Sequence, residues 1–357
     1  MKKILSLILM ASLTISLVAC GKSSESTLSS QETEKTKTIT DFSGRNVEIP
    51  EKVTKVATAW DDFNAAVLVC GASDKIVATA NIPGAAPWLY KVFPSLNNAL
   101  ATFGGNFNIE DIMKNKPDLI YVYQSSGIKQ KLIDSGIPTV EIKVMSFNDL
   151  KQCMTITGET LGGDAVDRAA EFNKYFDDKI KMITDVTSKI PADQKPKVLH
   201  LQGTVSPIVC DGTNSTIDDW ITTVGGTNAA QGVDGTVKEV SMEQVIKWNP
   251  DIIVLGTNGD NGIHTGVDQI YNDPKWKDIN AVKNHRVYVN PNGMYMWDRN
   301  CPEEALQIQW AAKTFWPDLF KDLDVVKETK DFYKEFFNYS LADDDAQRII
   351  NAEPPNK

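Results

Sequence analysis

Two glutamates of this chain sit in nearly the same local sequence. Residues 108–122 read Asn-Ile-Glu-Asp-Ile-Met-Lys-Asn-Lys-Pro-Asp-Leu-Ile-Tyr-Val, and residues 241–255 read Ser-Met-Glu-Gln-Val-Ile-Lys-Trp-Asn-Pro-Asp-Ile-Ile-Val-Leu. The offset is 133 residues, and Glu110/Glu243, Lys114/Lys247, Pro117/Pro250, Asp118/Asp251 and Ile120/Ile253 are identical pairs. A carboxylate so placed has two uses. In the first turn of a helix it meets the positive end of the helix dipole, worth about 0.3–1 kcal/mol. Repeated at two matched points, it offers a partner two contacts of the kind that guanidinium groups recognise.

A second group of residues could hold a ligand. Trp60, Trp88, Tyr295 and Trp297 offer faces for stacking on a flat or greasy molecule, with core packing as the alternative for each. Arg299, one of five arginines in the chain, could clamp a carboxylate or the anionic oxygens of an iron chelate; a local pair with Asp298 or Glu303 is its alternative. His264, in the glycine-rich run 258–266, could ligate a metal, or stand solvated. His200 and His285 read as structural. Asp61, Phe103 and Asn106 join the candidates because they fall in loops that follow strands.

The elements that must position these groups are legible. Asn108 and Ser241 can cap short helices. Ile109, Ile112 and Met113 mark an apolar face, matched by Met242, Val245 and Ile246. The prolines end each helix near Lys116 or Asn249. Leu119–Val122 and Ile252–Leu255 are continuous apolar runs, as in strands covered on both faces. Elsewhere Thr38–Pro50 reads as a hairpin turning at Ser43-Gly44. Lys55–Ala59, Ile76–Ala80, Pro138–Ile142, Val198–Leu201 and Arg286–Val289 read as strands; Asp62–Cys70, Gln130–Ser135, Thr216–Val224 and Glu303–Phe315 read as helices. The alternation predicts an α/β fold of two similar lobes, each a mostly parallel sheet flanked by helices. Between them Ala165, Ala169, Phe172, Phe176, Ile180, Ile183 and Val186 predict one helix from Asp164 to Ile190, roughly 40 Å long and able to join the lobes stiffly. In open α/β sheets ligands bind beyond the carboxyl ends of the strands, so the ligand cleft is expected between the lobes. The loops facing it would be 60–62, 83–88, 103–106, 124–127, 203–207, 258–264 and 294–299.

The expected divisions are a signal peptide (1–19), a flexible tether (20–37), an N-terminal lobe (38–147), linking helices (148–195), a C-terminal lobe (196–325) and a C-terminal helical extension and tail (326–357). Met1-Lys2-Lys3 followed by an apolar run to Ala19 is a secretory signal, and Leu17-Val18-Ala19-Cys20-Gly21 marks Cys20 for lipidation. The chain has 357 residues and a formal charge of −10; losing the signal removes two lysines and leaves −12. That charge argues against a nucleic-acid partner. Cys70, Cys153, Cys210 and Cys301 show no zinc-type spacing and are expected as buried thiols.

Together these residues resemble the substrate-binding lipoproteins of ABC importers for iron-siderophores, cobalamin and heme, in the group whose lobes are joined by one long helix. The likeness spans about residues 38–322. It rests on Asp41-Phe42-Ser43-Gly44-Arg45…Ile49-Pro50, on Val56-Ala57, and on the two Glu…Pro-Asp units. The resemblance implies a monomer held by lipid on the outer face of the cytoplasmic membrane, working with a permease and its ATPase. It implies that Glu110 and Glu243 dock onto permease arginines. It implies no intrinsic cofactor, the cargo being a ferric or other metal complex, with cobalamin, heme or an oxyanion as alternatives. A catecholate is disfavoured, because the loops lack several arginines. An exported enzyme is the competing class, yet no Gly-x-Ser-x-Gly elbow, His-Glu-x-x-His helix or dinucleotide glycine fingerprint occurs. An adhesion or sensor lipoprotein on the same scaffold is a third.

Overall fold

The computed structural model describes residues 35–81, 84–103, 107–256 and 263–356. Cys20, the segment before residue 35, Asn106 and the side chain of His264 lie outside what it describes.

A hairpin of β1 (Thr36–Thr40) and β2 (Asn46–Pro50) opens the fold, starting two residues before the expected lobe boundary. Its turn is built by Asp41, whose carboxylate accepts the N–H groups of Ser43 and Arg45, and by Gly44 at φ +77, where a side chain would be strained. The first lobe follows with β3 (Val56–Thr58), β4 (Ile76–Thr79), β5 (Leu100–Ala101), β6 (Leu119–Tyr123) and β7 (Thr139–Ile142), all parallel in the order β5-β4-β3-β6-β7. Its helices are α1 (Asp61–Val69), α2 (Pro87–Val92), α3 (Ile109–Asn115) and α4 (Lys129–Asp134).

Helices α5 (Phe147–Leu161) and α6 (Asp164–Thr187) lead to the second lobe. Helix α6 packs on α1 of the first lobe and on the later helices α7 (Thr216–Thr223) and α11 (Glu304–Phe315) of the second. It has 24 residues, three fewer than expected and about 36 Å long. Pro191 disfavours helix at the residue before it, and the chain tightens into i→i+3 bonds from Lys189 to Val186 and from Ile190 to Thr187.

The second sheet contains β8 (Lys197–Val205), β9 (Ile208–Cys210), β10 (Thr227–Asn228), β11 (Lys238–Val240), β12 (Ile252–Leu255) and β13 (Val287–Val289), in the order β11-β9-β8-β12-β13 with β10 also on β8. Strands β8, β10, β12 and β13 are parallel; β9 runs antiparallel to β8 and to β11, its neighbours on either side. Residues 203–205, expected in a cleft loop, extend β8 instead, and Ser206-Pro207 turns the chain into β9. The remaining helices are α8 (Met242–Trp248), α9 (Ile263–Asn272) and α10 (Asn280–Lys283), then α12 (Val325–Phe337) and α13 (Asp343–Ile350) at the C-terminus.

The internal repeat has physical content. In each copy a side-chain oxygen caps the helix: Asn108 accepts the N–H of Glu110, and Ser241 accepts that of Gln244. Each helix ends on a left-handed residue, Lys116 at φ 48 and Asn249 at φ 44. Each Pro-Asp aspartate then clamps the start of the central strand. The Asp118 N–H donates to the Lys55 carbonyl at 2.8 Å while its carboxylate accepts the Lys55 N–H at 2.9 Å. Asp251 does the same with Lys197, at 2.8 and 2.9 Å. The clamp fixes which residues pair: Val56 with Leu119 in one lobe, Val198 with Ile252 in the other. The expected apolar faces differ in one respect. Ile112 and Val245 are buried, Ile109 and Met242 are half-buried, but Met113 and Ile246 project into solvent.

One apolar core runs through both lobes along α6. Phe176 on α6 packs with Phe147 and with Phe172, and Phe172 also meets Phe332 and Phe336 of α12. Helix α12 reaches the first lobe too: Phe337 meets Phe93 edge-on at 5.9 Å, and Arg168 joins the carbonyls of Val69 and Phe336. The lobes are thus bridged twice, by α6 and by the C-terminal helices. All four cysteines described are free and buried.

Candidate ligand cleft

The carboxyl ends of β3 and β4 place a polar network at the floor of the first lobe. Asn64, on α1, bonds to Thr58, Thr79 and Asn81. Tyr295, from the loop after β13 in the second lobe, donates its hydroxyl to Asn81 Oδ1 at 3.2 Å. That bond carries the network across the cleft. Glu303 holds the second lobe's loop in place by accepting the Tyr295 N–H, the Trp297 Nε1–H and the Tyr333 hydroxyl. Burial pushes the Glu303 carboxyl up to about 7 against these bonds. Gly293 is required here, because a Cβ would lie 2.1 Å from Glu303 Oε1.

Beneath this loop lies a cluster of buried charges. His200, fully buried on β8, points Nδ1 at Asp211 (2.7 Å) and Nε2 at Asp298 (2.8 Å). Arg299 Nη2 reaches Asp298 at 3.1 Å and Asp211 at 3.4 Å. Gln202 donates to Asp211 as well. Burial penalises the His200 charge, but the two carboxylates outweigh it and raise its pKa. Burial likewise works against Asp211 and Asp298, yet His200 and Arg299 hold both below the usual carboxylate range. Across the cleft, Asp62 accepts the Trp60 indole N–H at 3.0 Å; burial and the neighbouring Asp61 charge push its pKa up.

A cavity of about 200 Å³ opens between the lobes, walled by Asp61, Asn81, Trp88, Met294, Tyr295 and Glu353 among others. The described residues lining it include two carboxylates and no lysine, arginine or histidine. Burial raises the Asp61 pKa, and Glu353 pairs with Arg348 at 3.1 Å.

The expected ligand residues separate into three groups. Trp60 is 41% exposed and leans on Tyr123 at 5.3 Å, and Asp61 and Tyr295 line the cavity. Trp88 also walls it but is 2% exposed, with its indole donating to the Glu353 carbonyl at 2.8 Å. Phe103 is half-buried against Phe107. Trp297 offers no open face: it is fully buried, because Glu303 six residues on supplies its acceptor. Arg299 is already paired with Asp298 and Asp211, and so does not stand ready as an anion clamp. Glu110 and Glu243 are exposed on α3 and α8. Sequence reasoning missed Asn81, Asp211 and Glu353. The positions of Asn81 and Asp211, just past β4 and β9, are a usable signal; nothing in the sequence brings Glu353 to the cleft.

A family model described as periplasmic binding protein matches residues 56–293. The molybdate-binding protein MolA of Haemophilus influenzae is 26% identical over 340 residues, covering 87% of this chain and 93% of that protein. The iron(3+)-hydroxamate-binding protein FhuD of Bacillus subtilis is 23% identical over 299 residues, covering 80% and 90%. A crystal structure of a periplasmic solute binding protein from Veillonella parvula superposes with a TM-score of 0.75 at 31% identity, covering 89% of this chain and 97% of that one. These relatives are binding proteins and not enzymes. The chain belongs to the periplasmic binding protein family, as an extracytoplasmic substrate-binding protein of the ABC-transporter class.

Proposed function

We propose that this protein captures a metal complex without net negative charge, of the iron(III)-hydroxamate type, and hands it to an ABC permease. The charge of the cleft carries this reading. The described cavity lining holds Asp61 and Glu353 and no basic side chain, and Arg299 is neutralised by its own aspartates. A polyanionic catecholate or citrate chelate entering such a site would lose its hydration and find no free cation among the described lining residues to offset that loss. The cavity is smaller than the roughly 300–1,000 Å³ of most ligand pockets. It takes one portion of the chelate, and the rest lies against Trp60, with Phe103 and Tyr295 as further apolar contacts. Exposed Glu110 and Glu243 dock onto the permease, and lipid on Cys20 holds the monomer at the membrane.

A small oxyanion is the second reading, favoured by the near full-length likeness to a molybdate-binding protein. The test is a titration of the mature protein with a neutral ferric hydroxamate, a trianionic ferric catecholate and molybdate, followed by tryptophan fluorescence. Saturable submicromolar quenching by the hydroxamate alone is expected. Binding of molybdate alone selects the second reading. Tight binding of the catecholate overturns the charge argument.

A further inference from the structure

We infer that Met113 and Ile246 are the apolar half of a two-point dock for the membrane permease. The inference deepens the docking reading of Glu110 and Glu243 and rests on it. Single exposed apolar side chains are common on protein surfaces and need no explanation. These two are different in position. Met113 is 47% and Ile246 54% exposed, and they occupy the same place in the two copies of the repeat, 133 residues apart. Among the large exposed apolar side chains described, no other two are related by that offset.

Their surroundings match as well. Each lies three residues after the glutamate, so the carboxylate and the apolar side chain are neighbours on one helix surface. Each is followed by an exposed lysine, Lys114 or Lys247, and preceded by a buried residue, Ile112 or Val245. The buried residue satisfies the core, so packing does not require the apolar residue after it. The clamps of Asp118 and Asp251 hold both helices in equivalent places against their sheets. The two lobes thus share one glutamate, one apolar knob and one lysine; the first lobe adds Asp111, paired with Lys114 at 2.7 Å, where the second has Gln244. A partner that fits has two like surfaces, each with a cation beside an apolar recess. The extracytoplasmic face of an importer built from two like permease halves meets that description. Soluble cargo does not, because the patches lie on helices away from the cavity lining.

The test uses the full chain in membranes of its source cell, with a photo-crosslinking residue at position 113 or 246. Adducts to an integral ABC permease subunit, identified by mass spectrometry, are expected at both positions. None is expected from probes at Val166 or Leu319, which are 44% and 50% exposed. In parallel, binding of the mature chain to vesicles from those membranes is measured for Met113→Ser/Ile246→Ser and for Glu110→Arg/Glu243→Arg. The serine pair should weaken binding roughly tenfold or more with unchanged melting temperature. If the arginine pair abolishes binding and the serine pair does not weaken it, the apolar assignment fails and the glutamate reading stands. If neither pair changes binding, the docking reading itself fails. Adducts only to a second copy of this chain overturn the assignment to a permease.

Discussion

Replacing His200 with leucine tests whether the buried charge cluster is a single ionic unit. Both ring nitrogens face carboxylate oxygens, at 2.7 and 2.8 Å. A neutral imidazole has one N–H, so only the imidazolium can donate to both. With Arg299 the cluster then holds two positive and two negative charges and is neutral as a whole. Leucine fills the space but leaves Asp211 and Asp298 sharing one guanidinium. Removing one partner from a buried ion pair costs about 3–5 kcal/mol. Unfolding entropy near 60 °C is about 2.1 cal/mol/K per residue, or roughly 0.7 kcal/mol/K over some 320 folded residues. The melting temperature of His200→Leu should therefore fall by about 4–7 °C at pH 6.

The sign of the pH dependence follows from the shifts. His200 is raised, so its contribution is full below the unfolded value near 6.5 and is lost as pH rises through the folded value. Asp211 and Asp298 are lowered, so theirs is present above about 4 and lost as pH falls through their folded values. The penalty of the leucine variant should peak between these limits and shrink on either side. Thermal melts by circular dichroism across this range, repeated in an Asp298→Asn background, make the check. A fall under about 1 °C, or a double mutant whose losses simply add, would refute the ionic-unit argument.

Four further outcomes are expected. Trp88→Ala should destabilise by about 3–5 kcal/mol, as for other buried tryptophans. Trp60→Ala should leave urea unfolding nearly unchanged and weaken cargo binding. Asp118→Ala and Asp251→Ala should each cost about 1–3 kcal/mol in urea unfolding, with Asp118 costing more because it accepts from Thr54 N, Thr54 Oγ1 and Lys55 N. Burial pushes the thiols of Cys70 and Cys153 up to about 12 and that of Cys210 to about 11. Iodoacetamide at pH 8 should therefore leave these three cysteines unmodified in the folded protein and label them in urea, as read by peptide mass.

The parts of this fold that were legible are those written in short sequence periods. The repeat, the apolar runs of β6 and β12 and the stripe of α6 involve neighbours three, four or a few residues apart, where periodicity carries the signal. The charge cluster is assembled from His200, Asp211 and Asp298, and the cleft floor from Asn81 and Tyr295, which are 214 residues apart. No local pattern announces such partners. Arg299 reads in sequence as a clamp or as a local partner of Asp298 or Glu303; the fold makes the Asp298 pair and adds an aspartate 88 positions away, which no local pattern announces. Arg299→Ala is accordingly expected to destabilise the fold as well as to alter the cleft. The longer β8 was missed because Gly203 and Pro207 are turn residues by type; Gly203 does take a positive φ of 76, within an irregularity of the ladder, and the pairing of Val205 with Ile208 carries the strand past it.

The contact between Trp88 and Glu353 spans 265 positions, and it sets an order on the life of the chain. As the polypeptide emerges, residues of the first lobe are made long before the segment that covers them. Phe93 waits for Phe337, Lys91 for Asp345, and Trp88 for the Glu353 carbonyl. Such non-local closure is slow, and until it happens the aromatic side chains along α6 lack part of their cover. A nascent chain of this design gains its final packing only after residues 337–353 have emerged, so a short deletion around them should reach back to the first lobe's folding.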